Sequence, residues 1–260
     1  MKNKLLILLL ILISSLGYSQ NNYKKIYKYN EYQNDWALVK DITGNYGFID
    51  RNGKEVVPTI YSKIEEFKYN EGKYALVKDL TGNHGFIDRN GKEVVPTIYS
   101  KIEEFKYNEG KYALVKDVTG NYGFIDRSGE EVVPTIYSKI EEFKYNKGEY
   151  ALVKDLTGNY GFIDRSGEEV VPTIYSKIEE FKYNKGEYAL VKDLTGNYGF
   201  IDRSGEEVVP TIYSKIEEFK YNKGEYALVK DLTGNYGFID RSGEEVVPTI
   251  YNLKDVMQKI

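Results

Sequence analysis

The chain of 260 residues contains no cysteine, one histidine, one tryptophan and six prolines. The absence of cysteine excludes disulfides, iron–sulfur clusters and cysteine-ligated zinc, so the fold must rest on packing and hydrogen bonding. A single histidine without a matching serine and acid disfavours a Ser–His–Asp triad. The net charge of −4 argues against nucleic acid or anionic lipid as the main partner, because both attract basic proteins.

Long hydrophobic runs are missing after the first twenty residues. Residues 1–20 read MKNKLLILLLILISSLGYSQ, with a short basic segment, an apolar run at 5–13 and small residues near the end. This pattern predicts a signal peptide over residues 1–19, cleaved before Gln20. A retained membrane anchor is the alternative, which the short apolar run disfavours. We therefore expect an exported protein in the periplasm, at the cell surface or outside the cell, with no membrane contact after cleavage.

Tyrosine, phenylalanine and self-similarity are what the chain has in abundance. Its 26 Tyr and 11 Phe favour β-strands and are too many for a disordered chain. The tetrapeptide GFID recurs every 38 residues from Gly47 to Gly237, and the six prolines keep the same spacing. Such a period predicts a tandem array. We divide the chain into six repeats and a C-terminal cap, at 23–60, 61–98, 99–136, 137–174, 175–212, 213–250 and 251–260.

Each repeat contains two hairpin signals, described here for repeat 5. YALVK and YGFID flank the loop DLTGN, and GFID and EEVVP flank the turn RSG, with a glycine available for positive φ in each. The remaining segment, YSKIEEFKYNKGE, is compatible with a helical turn, an irregular anchor or a fourth short strand. Two tight reversals per repeat predict antiparallel strands and disfavour a parallel β-helix.

The predicted fold class is all-β. Because a 38-residue repeat cannot bury a core alone, adjacent repeats must pack against each other. We predict antiparallel meanders of three to four short strands, stacked as an open superhelical or solenoid-like array; a six-bladed propeller-like ring is the alternative. Pro210 lacks an N–H and is expected at a strand end or on an edge. The expected core residues of repeat 5 are Ile178, Phe181, Tyr188, Leu190, Val191, Phe200, Ile201, Val208, Val209 and Ile212.

The segment YGFIDRSGEEVVPTIY resembles the WG-repeat (KWG-type) family of bacterial β-repeat proteins. The signature tryptophan of that family is replaced by tyrosine in five repeats and by His84 in one. The resemblance implies an all-β repeat fold over essentially the whole mature chain, and it implies no particular activity. It is carried by Tyr198, Gly199, Phe200, Ile201, Asp202, Gly205, Val208, Val209, Pro210, Tyr213 and Phe219, and by Ala189, Leu190, Val191 and Lys192.

The conspicuous polar residues point to structure more than to chemistry. His84 occupies a position held by tyrosine in the other repeats, so we interpret it as drift at an aromatic site. The carboxylates around the RSG turn include Glu206, whose equivalent in repeat 2 is Lys92, and a charge reversal would abolish a metal site. We therefore predict no catalytic, cofactor or metal residues.

Two further polar patterns are interpreted as surface features. Asp202 and Arg203 are unchanged in all six repeats and are read as a turn-closing residue and its exposed neighbour. NEGK in repeats 2 and 3 becomes NKGE in repeats 4 to 6, so the two charges exchange places. Positions that tolerate such an exchange are expected to be exposed, with little specific work to do.

Three functional hypotheses remain. The first is an exported, non-enzymatic scaffold for a protein or polymer partner, because identical repeats favour multivalent contact. The second is a glycan- or cell-wall-binding module, which exposed coplanar tyrosines would support. The third is a hydrolase with paired carboxylates, which the near-identity of the repeats disfavours. The candidate interaction surface is Tyr183, Tyr188 and Tyr198 with their counterparts in other repeats.

Overall fold

A computed structural model describes residues 23–260, which form six four-stranded sheets, one for each repeat. The predicted signal peptide lies outside the described residues. Contacts divide the chain into two compact units, which we call the N-terminal unit (23–82 and 86–93) and the C-terminal unit (83–85 and 94–260). None of the helices in the described part of the chain is long and apolar enough to cross a bilayer.

The strands of each sheet follow their order along the chain, and neighbouring strands are antiparallel. The first three repeats contain β1 (Tyr23–Ile26), β2 (Ala37–Asp41), β3 (Tyr46–Ile49), β4 (Glu55–Tyr61), β5 (Lys63–Lys68), β6 (Tyr74–Lys78), β7 (His84–Asp88), β8 (Glu93–Tyr99), β9 (Lys101–Tyr107), β10 (Tyr112–Lys116), β11 (Tyr122–Asp126) and β12 (Glu131–Tyr137).

The last three repeats continue the same order. They contain β13 (Lys139–Tyr145), β14 (Tyr150–Lys154), β15 (Tyr160–Ile163), β16 (Glu169–Tyr175), β17 (Lys177–Tyr183), β18 (Tyr188–Lys192), β19 (Tyr198–Ile201), β20 (Glu207–Tyr213), β21 (Lys215–Ile216), β22 (Ala227–Lys230), β23 (Tyr236–Ile239) and β24 (Glu245–Tyr251). Short helical turns lie at Tyr69–Gly72, Asn146–Gly148, Asn184–Gly186, Asn222–Gly224 and Leu253–Val256.

The ambiguous segment of each repeat is resolved as a strand. In repeat 5 it forms β17, where Ile178 lies opposite Val191 and Phe181 opposite Ala189, with a bulge between the two pairs. The sheet therefore has four strands, and the two predicted hairpins join the last three. The all-β tandem-repeat fold is confirmed, with sheets that are not closed on themselves.

The two middle strands of a sheet are buried on both faces. In the C-terminal unit, one face of β18 and β19 packs against repeat 4, and the other face packs against repeat 6. The first face carries Ala189, Val191 and Ile201, and the second carries Leu190 and Phe200. This arrangement explains why three successive residues of β18 are buried. Each repeat thus obtains its core from its neighbours, as stacked repeats require.

The predicted core of repeat 5 is partly wrong. Phe181 and Tyr188 are half-buried and pack against the core, and Ala189 and Tyr213 are buried core residues that were not predicted. Ile212 is 53% exposed, and Val208 is only half-buried. The reason is the alternation along β20, an edge strand with only one face on the core. An apolar side chain on the other face of an edge strand points to solvent.

Pro210 lies within β20, on the edge of the sheet and in a bulge, so the edge alternative is the one observed. Tyr198 pairs with Tyr213 and Phe200 with Val209, so a two-residue advance along β19 corresponds to a four-residue advance along β20. The bulged backbone presses against Gly199, where an added Cβ would lie 2.5 Å from the Val209 carbonyl oxygen. The proline of each repeat therefore lies in a β-bulge, and the glycine of GFID leaves the space that the bulged backbone occupies.

The short helix Leu253–Val256 covers the last sheet. Asn252 caps it by accepting a hydrogen bond from the Asp255 N–H at 3.0 Å. Val256 is fully buried and packs with the core of repeat 6, which includes Leu228, Phe238 and Val247. These residues fall in the range 251–260, to which the sequence analysis assigned a cap.

Candidate functional site: a repeated lysine groove

Three open grooves of similar composition lie between successive sheets of the C-terminal unit, and we call them the lysine grooves. Their volumes are 460, 450 and 500 Å³. The groove between repeats 5 and 6 is lined by Lys177, Glu179, Leu190, Tyr198, Ser214, Lys215, Ile216 and Lys230. The equivalent residues line the other two grooves: Lys101, Glu103, Leu114, Tyr122, Ser138, Lys139, Ile140 and Lys154, and Lys139, Glu141, Leu152, Tyr160, Ser176, Lys177, Ile178 and Lys192.

Adjacent lysine grooves share a residue. Lys139 lines both the first and the second groove, and Lys177 lines both the second and the third. The three grooves therefore form one continuous row across repeats 3 to 6.

Local hairpin geometry places the groove residues. The Asp193 carboxylate closes the loop after β18 by accepting from the backbone N–H groups of Thr195 (2.9 Å) and Asn197 (2.8 Å). This hairpin sets Tyr198 directly opposite Lys192. The Ser214 hydroxyl donates to the carbonyls of Lys230 (3.1 Å) and Asp231 (2.7 Å), which anchors the start of repeat 6 beside its own groove lysine.

The single carboxylate of each groove is already neutralised. Glu179 accepts from Lys177 at 2.7 Å and from Lys182 at 2.9 Å, and the Tyr183 hydroxyl donates to it at 3.0 Å. Partial burial would raise the pKa of Glu179, but the hydrogen bonds from the two lysines outweigh it and hold the pKa at about 2. Of the three lysines in the lining, Lys177 is paired with Glu179 and Lys215 with Glu217, so the surplus positive charge is that of Lys230.

In repeats 3 to 6, the second strand of the sheet ends at a lysine, and those of repeats 4 to 6 supply the uncompensated charge of the three grooves. The Lys192 ammonium lies 5.1 Å from the centre of the Tyr198 ring, and Lys230 lies 5.4 Å from that of Tyr236. Lys116 and Lys154 make the same contact with their tyrosines. Within residues 23–260, no ion pair involves any of these four lysines. A cation held over a ring face remains available to an anionic ligand.

The three tyrosines proposed as an interaction surface do not share one location. Tyr198 lines a lysine groove. Tyr183 and Tyr188 pair with each other at the opposite end of the strands and pack on Phe200, with ring centres 5.0 and 6.1 Å away. All three are half-buried, and the Tyr188 hydroxyl donates to the Arg241 carbonyl at 2.7 Å. Their role in an interaction stays a prediction, and the structure places only Tyr198 in the groove.

The groove lysines escaped the sequence analysis, although a signal was present. The lysine that follows ALV, Lys192 in repeat 5, is unchanged in all six repeats and precedes an aromatic position by six residues in each. That regularity indicates a fixed pair of a lysine and an aromatic residue in each repeat.

The end of the strands opposite the groove is organised by arginine, and we call it the arginine end. The Arg203 side chain is 24% exposed, lies over the Phe181 ring, and donates to the Gly186 carbonyl and to the Asn146 side chain of repeat 4. The Tyr150 hydroxyl of repeat 4 donates back to the Arg203 carbonyl at 2.6 Å. The interpretation of this arginine as an exposed neighbour is therefore wrong, because it joins two repeats.

The exchanged charges also have a structural role. Arg165 lies 3.5 Å from Glu109 of repeat 3 and 3.6 Å from Glu149 of its own repeat, whereas Arg203 pairs with Glu187 of its own repeat at 3.4 Å. These glutamates are exposed, as expected. The expectation that these glutamates do little specific work is wrong. The glutamate of NEGK contacts the arginine of the following repeat, and the glutamate of NKGE contacts the arginine of its own repeat, so both Arg165 and Arg203 have a carboxylate partner.

The turn carboxylates and the histidine occupy structural positions. The Asp202 carboxylate accepts from the Ser204 N–H (2.8 Å) and hydroxyl (2.7 Å) and from the Glu206 N–H (3.1 Å), so it closes the turn. His84 begins β7, where Tyr198 begins β19. In the part of the chain that the structure describes, no group of three or more acidic or histidine side chains could hold a metal ion.

The repeated sheet, with its aromatic–glycine strand and proline bulge, has a counterpart among known families. The family model described as the WG containing repeat matches residues 46–79, 85–117, 122–155, 160–193, 198–231 and 236–253. The chain belongs to this family. The first five WG-repeat matches begin in the aromatic–glycine strand of one sheet and run on into the next sheet, and the sixth ends at the start of the C-terminal helix. No curated protein matches the chain.

Similarity to solved structures is weak. BamB from Moraxella catarrhalis has 13% identity, a TM-score of 0.28, and coverage of 86% of this chain and 73% of that chain. The β-propeller domain of Cps50 (Swd1) from Myceliophteria thermophila has 14% identity, a TM-score of 0.27, and coverage of 88% and 85%. The C-terminal WD40 domain of Sif2 has 9% identity, a TM-score of 0.27, and coverage of 86% and 68%. Scores this low support no inference about the WG-repeat chain.

Proposed function

We propose that this WG-repeat protein is an exported, non-enzymatic scaffold that binds an extended protein or polymer partner along the row of lysine grooves. The observation that carries the proposal is the sharing of Lys139 and Lys177 between neighbouring grooves. A partner that leaves one groove enters the next without crossing unrelated surface. Equivalent weak sites in a row gain affinity through effective concentration, and a partner with its own repeating units exploits all of them.

The geometry favours this scaffold over a hydrolase. Glycoside hydrolysis needs two carboxyl groups that face each other, one of them with a raised pKa so that it can donate a proton. In the groove between repeats 5 and 6, Glu179 is the one lining carboxylate, and two lysines hold its pKa at about 2. A carboxylate this acidic is unsuited to general acid catalysis at neutral pH.

The geometry also weighs against an aromatic platform for neutral glycans. Sugar stacking requires an exposed ring face, and Tyr183, Tyr188 and Tyr198 are all half-buried. The Lys192 ammonium, which lines the groove between repeats 4 and 5, lies over the ring of Tyr198, which lines the next groove. The Tyr198 ring therefore already has a cation against it, which leaves less of its surface for a sugar.

The dependence of binding on ligand length tests the scaffold proposal. The full chain is passed over immobilised acidic and neutral polysaccharides and acidic polypeptides, each as a long polymer and as an oligomer that fills one groove. We expect at least one long polymer to bind about tenfold or more tightly than its oligomer, because several grooves engage together. Equal affinity for long and short forms of every ligand, or retention of none, would overturn the proposal.

A further inference from the structure

Resting on that proposed function, we infer that the ligand of the lysine grooves is a linear acidic polysaccharide, a polymer whose sugar units carry negative charge at regular intervals. The juxtaposition that carries this inference is a row of lysine cations, each held over a tyrosine ring and unpaired with any carboxylate of the described chain.

The groove charge runs against the charge of the whole chain. The protein carries a net charge of −4, whereas the lining of the groove between repeats 5 and 6 keeps one lysine, Lys230, without a carboxylate partner among the described residues. The other two lining lysines, Lys177 and Lys215, are paired with Glu179 and Glu217. A positive strip on an acidic protein attracts anions to the strip, while the negative charge of the remaining surface repels them.

The same residues recur where other charges have drifted. The groove positions Lys177, Glu179 and Lys192 have identical counterparts in repeats 2 to 6. Over the same repeats, Lys92 gives way to Glu206, and Glu109 gives way to Lys147. Packed sheets lie about 10 Å apart, so the cations recur at a spacing comparable to the length of a disaccharide unit. A polymer of charged sugars can match that spacing over several repeats.

The lining suits a glycan better than a peptide. Its apolar members, Leu190 and Ile216, are only 7% and 8% exposed, so the groove offers no open pocket for an apolar side chain. A peptide in an extended groove gains specificity from such pockets. A charged polysaccharide presents mainly hydroxyl and anionic groups, and the other members of the lining are three lysines, a glutamate, a serine and a tyrosine.

The lining also disfavours single-stranded nucleic acid. Proteins that bind such strands combine a basic groove with aromatic rings on which bases stack. Here the Tyr198 and Tyr236 rings are covered by Lys192 and Lys230. The grooves supply the charge without the stacking surface.

A matched pair of polymers tests the inference on the full chain. Immobilised polygalacturonate presents one carboxylate per sugar, and its methyl ester has the same backbone without the charge. We expect binding to polygalacturonate that weakens as salt rises, and about tenfold weaker binding to the ester, because screening and neutralisation remove the same attraction. Equal binding to both would overturn the inference and leave the scaffold proposal standing, since a long neutral polymer would then be the ligand.

Two triple variants with the same change in net charge separate the groove from charge in general. Lys154→Gln, Lys192→Gln and Lys230→Gln remove the unpaired lysine of each groove, whereas Lys147→Gln, Lys185→Gln and Lys223→Gln remove lysines from the turns at the arginine end. We expect about tenfold weaker binding for the groove variant and less than about twofold for the turn variant. Circular dichroism verifies that both remain folded.

Three outcomes would contradict the assignment. Equal losses in the two triple variants would mean that net charge, not the groove, holds the polymer. Tighter binding of poly-L-glutamate than of polygalacturonate, abolished in the groove variant, would point to an acidic protein partner. Stronger binding of single-stranded DNA would point to nucleic acid.

Discussion

The two ends of each sheet in the C-terminal unit hold their charges in opposite ways. At the arginine end, Arg203 contacts carbonyl, amide and carboxylate groups from two repeats. At the groove end, Lys192 lies over the ring of Tyr198 and has no carboxylate partner among residues 23–260. Charge at one end joins neighbouring repeats, and charge at the other is left free for a ligand.

The difference explains the pattern of substitutions among the repeats. Glutamates at the arginine end change places between NEGK and NKGE, because either position can reach an arginine. The groove lysines show no such exchange. A stabilising ion pair needs only a partner within reach, whereas a row of ligand sites needs its cations at fixed positions. The predictions below test this contrast, in order of decreasing effect.

The largest effect is expected at Gly199, in the strand that connects the two ends. Gly199→Ala places a Cβ 2.5 Å from the Val209 carbonyl oxygen, and this backbone contact cannot be relieved by a side-chain rotation. We expect a loss of about 3 kcal/mol in the free energy of unfolding, measured by urea denaturation. Gly196→Ala is the control, since it meets only the end of Lys192 and should cost about 1 kcal/mol through its positive φ. Equal costs would refute the role of the bulge.

Arginine and lysine should differ sharply when each is truncated. Arg203→Ala removes hydrogen bonds from a mostly buried charged group to two repeats, and we expect it to cost about 2 kcal/mol. Lys192→Ala removes an unpaired lysine and should change stability by less than about 0.5 kcal/mol. Urea midpoints of the two variants compare the ends directly. A Lys192 variant as unstable as the Arg203 variant would show that the groove end is structural.

Acid should weaken the protein through the glutamates that each bind two lysines. The folded-state pKa of Glu141, Glu179 and Glu217 is about 2, below the ordinary value of 4.5. Their contribution to stability is therefore complete above about pH 5 and is lost as the pH falls from there towards 2. Replacing all three with glutamine should flatten the decline in urea midpoint over this window. Parallel declines in variant and parent would mean that solvent screens these half-buried groups completely.

The smallest effect is expected when the charges of one repeat are exchanged. The double variant Lys185→Glu with Glu187→Lys converts NKGE to NEGK in repeat 5, which takes the carboxylate from Arg203 and offers one to Arg241. The change in unfolding free energy should stay within about 0.5 kcal/mol, since exposed ion pairs contribute little. Glu187→Gln alone also removes the carboxylate from Arg203 but places no lysine beside it, so it should cost no more than the exchange. A higher cost for the single variant would show that the glutamate offered to Arg241, which already pairs with Glu225, compensates for the lost pair.

Much of the fold follows from local pattern. The period, the two hairpins and the edge position of Pro210 could be predicted because turn glycines and alternating apolar residues act over a few residues. Ile212 was misplaced, since its apolar character says nothing about which face of an edge strand is covered. Arg203 was misread because its partner in repeat 4 lies 57 residues away in sequence. The groove was missed because its lining comes from two sheets.

By itself, the sequence determined a tandem array of antiparallel strands, since strand and turn preferences are local and repeat with the period. Only the tertiary structure decided which face of each strand is covered by a neighbouring sheet and which faces solvent. Stacking buries both faces of β18 and β19, brings Arg203 against repeat 4, and opens a lysine groove between repeats 5 and 6. These contacts join residues of different repeats, and their geometry exists only once the sheets have packed.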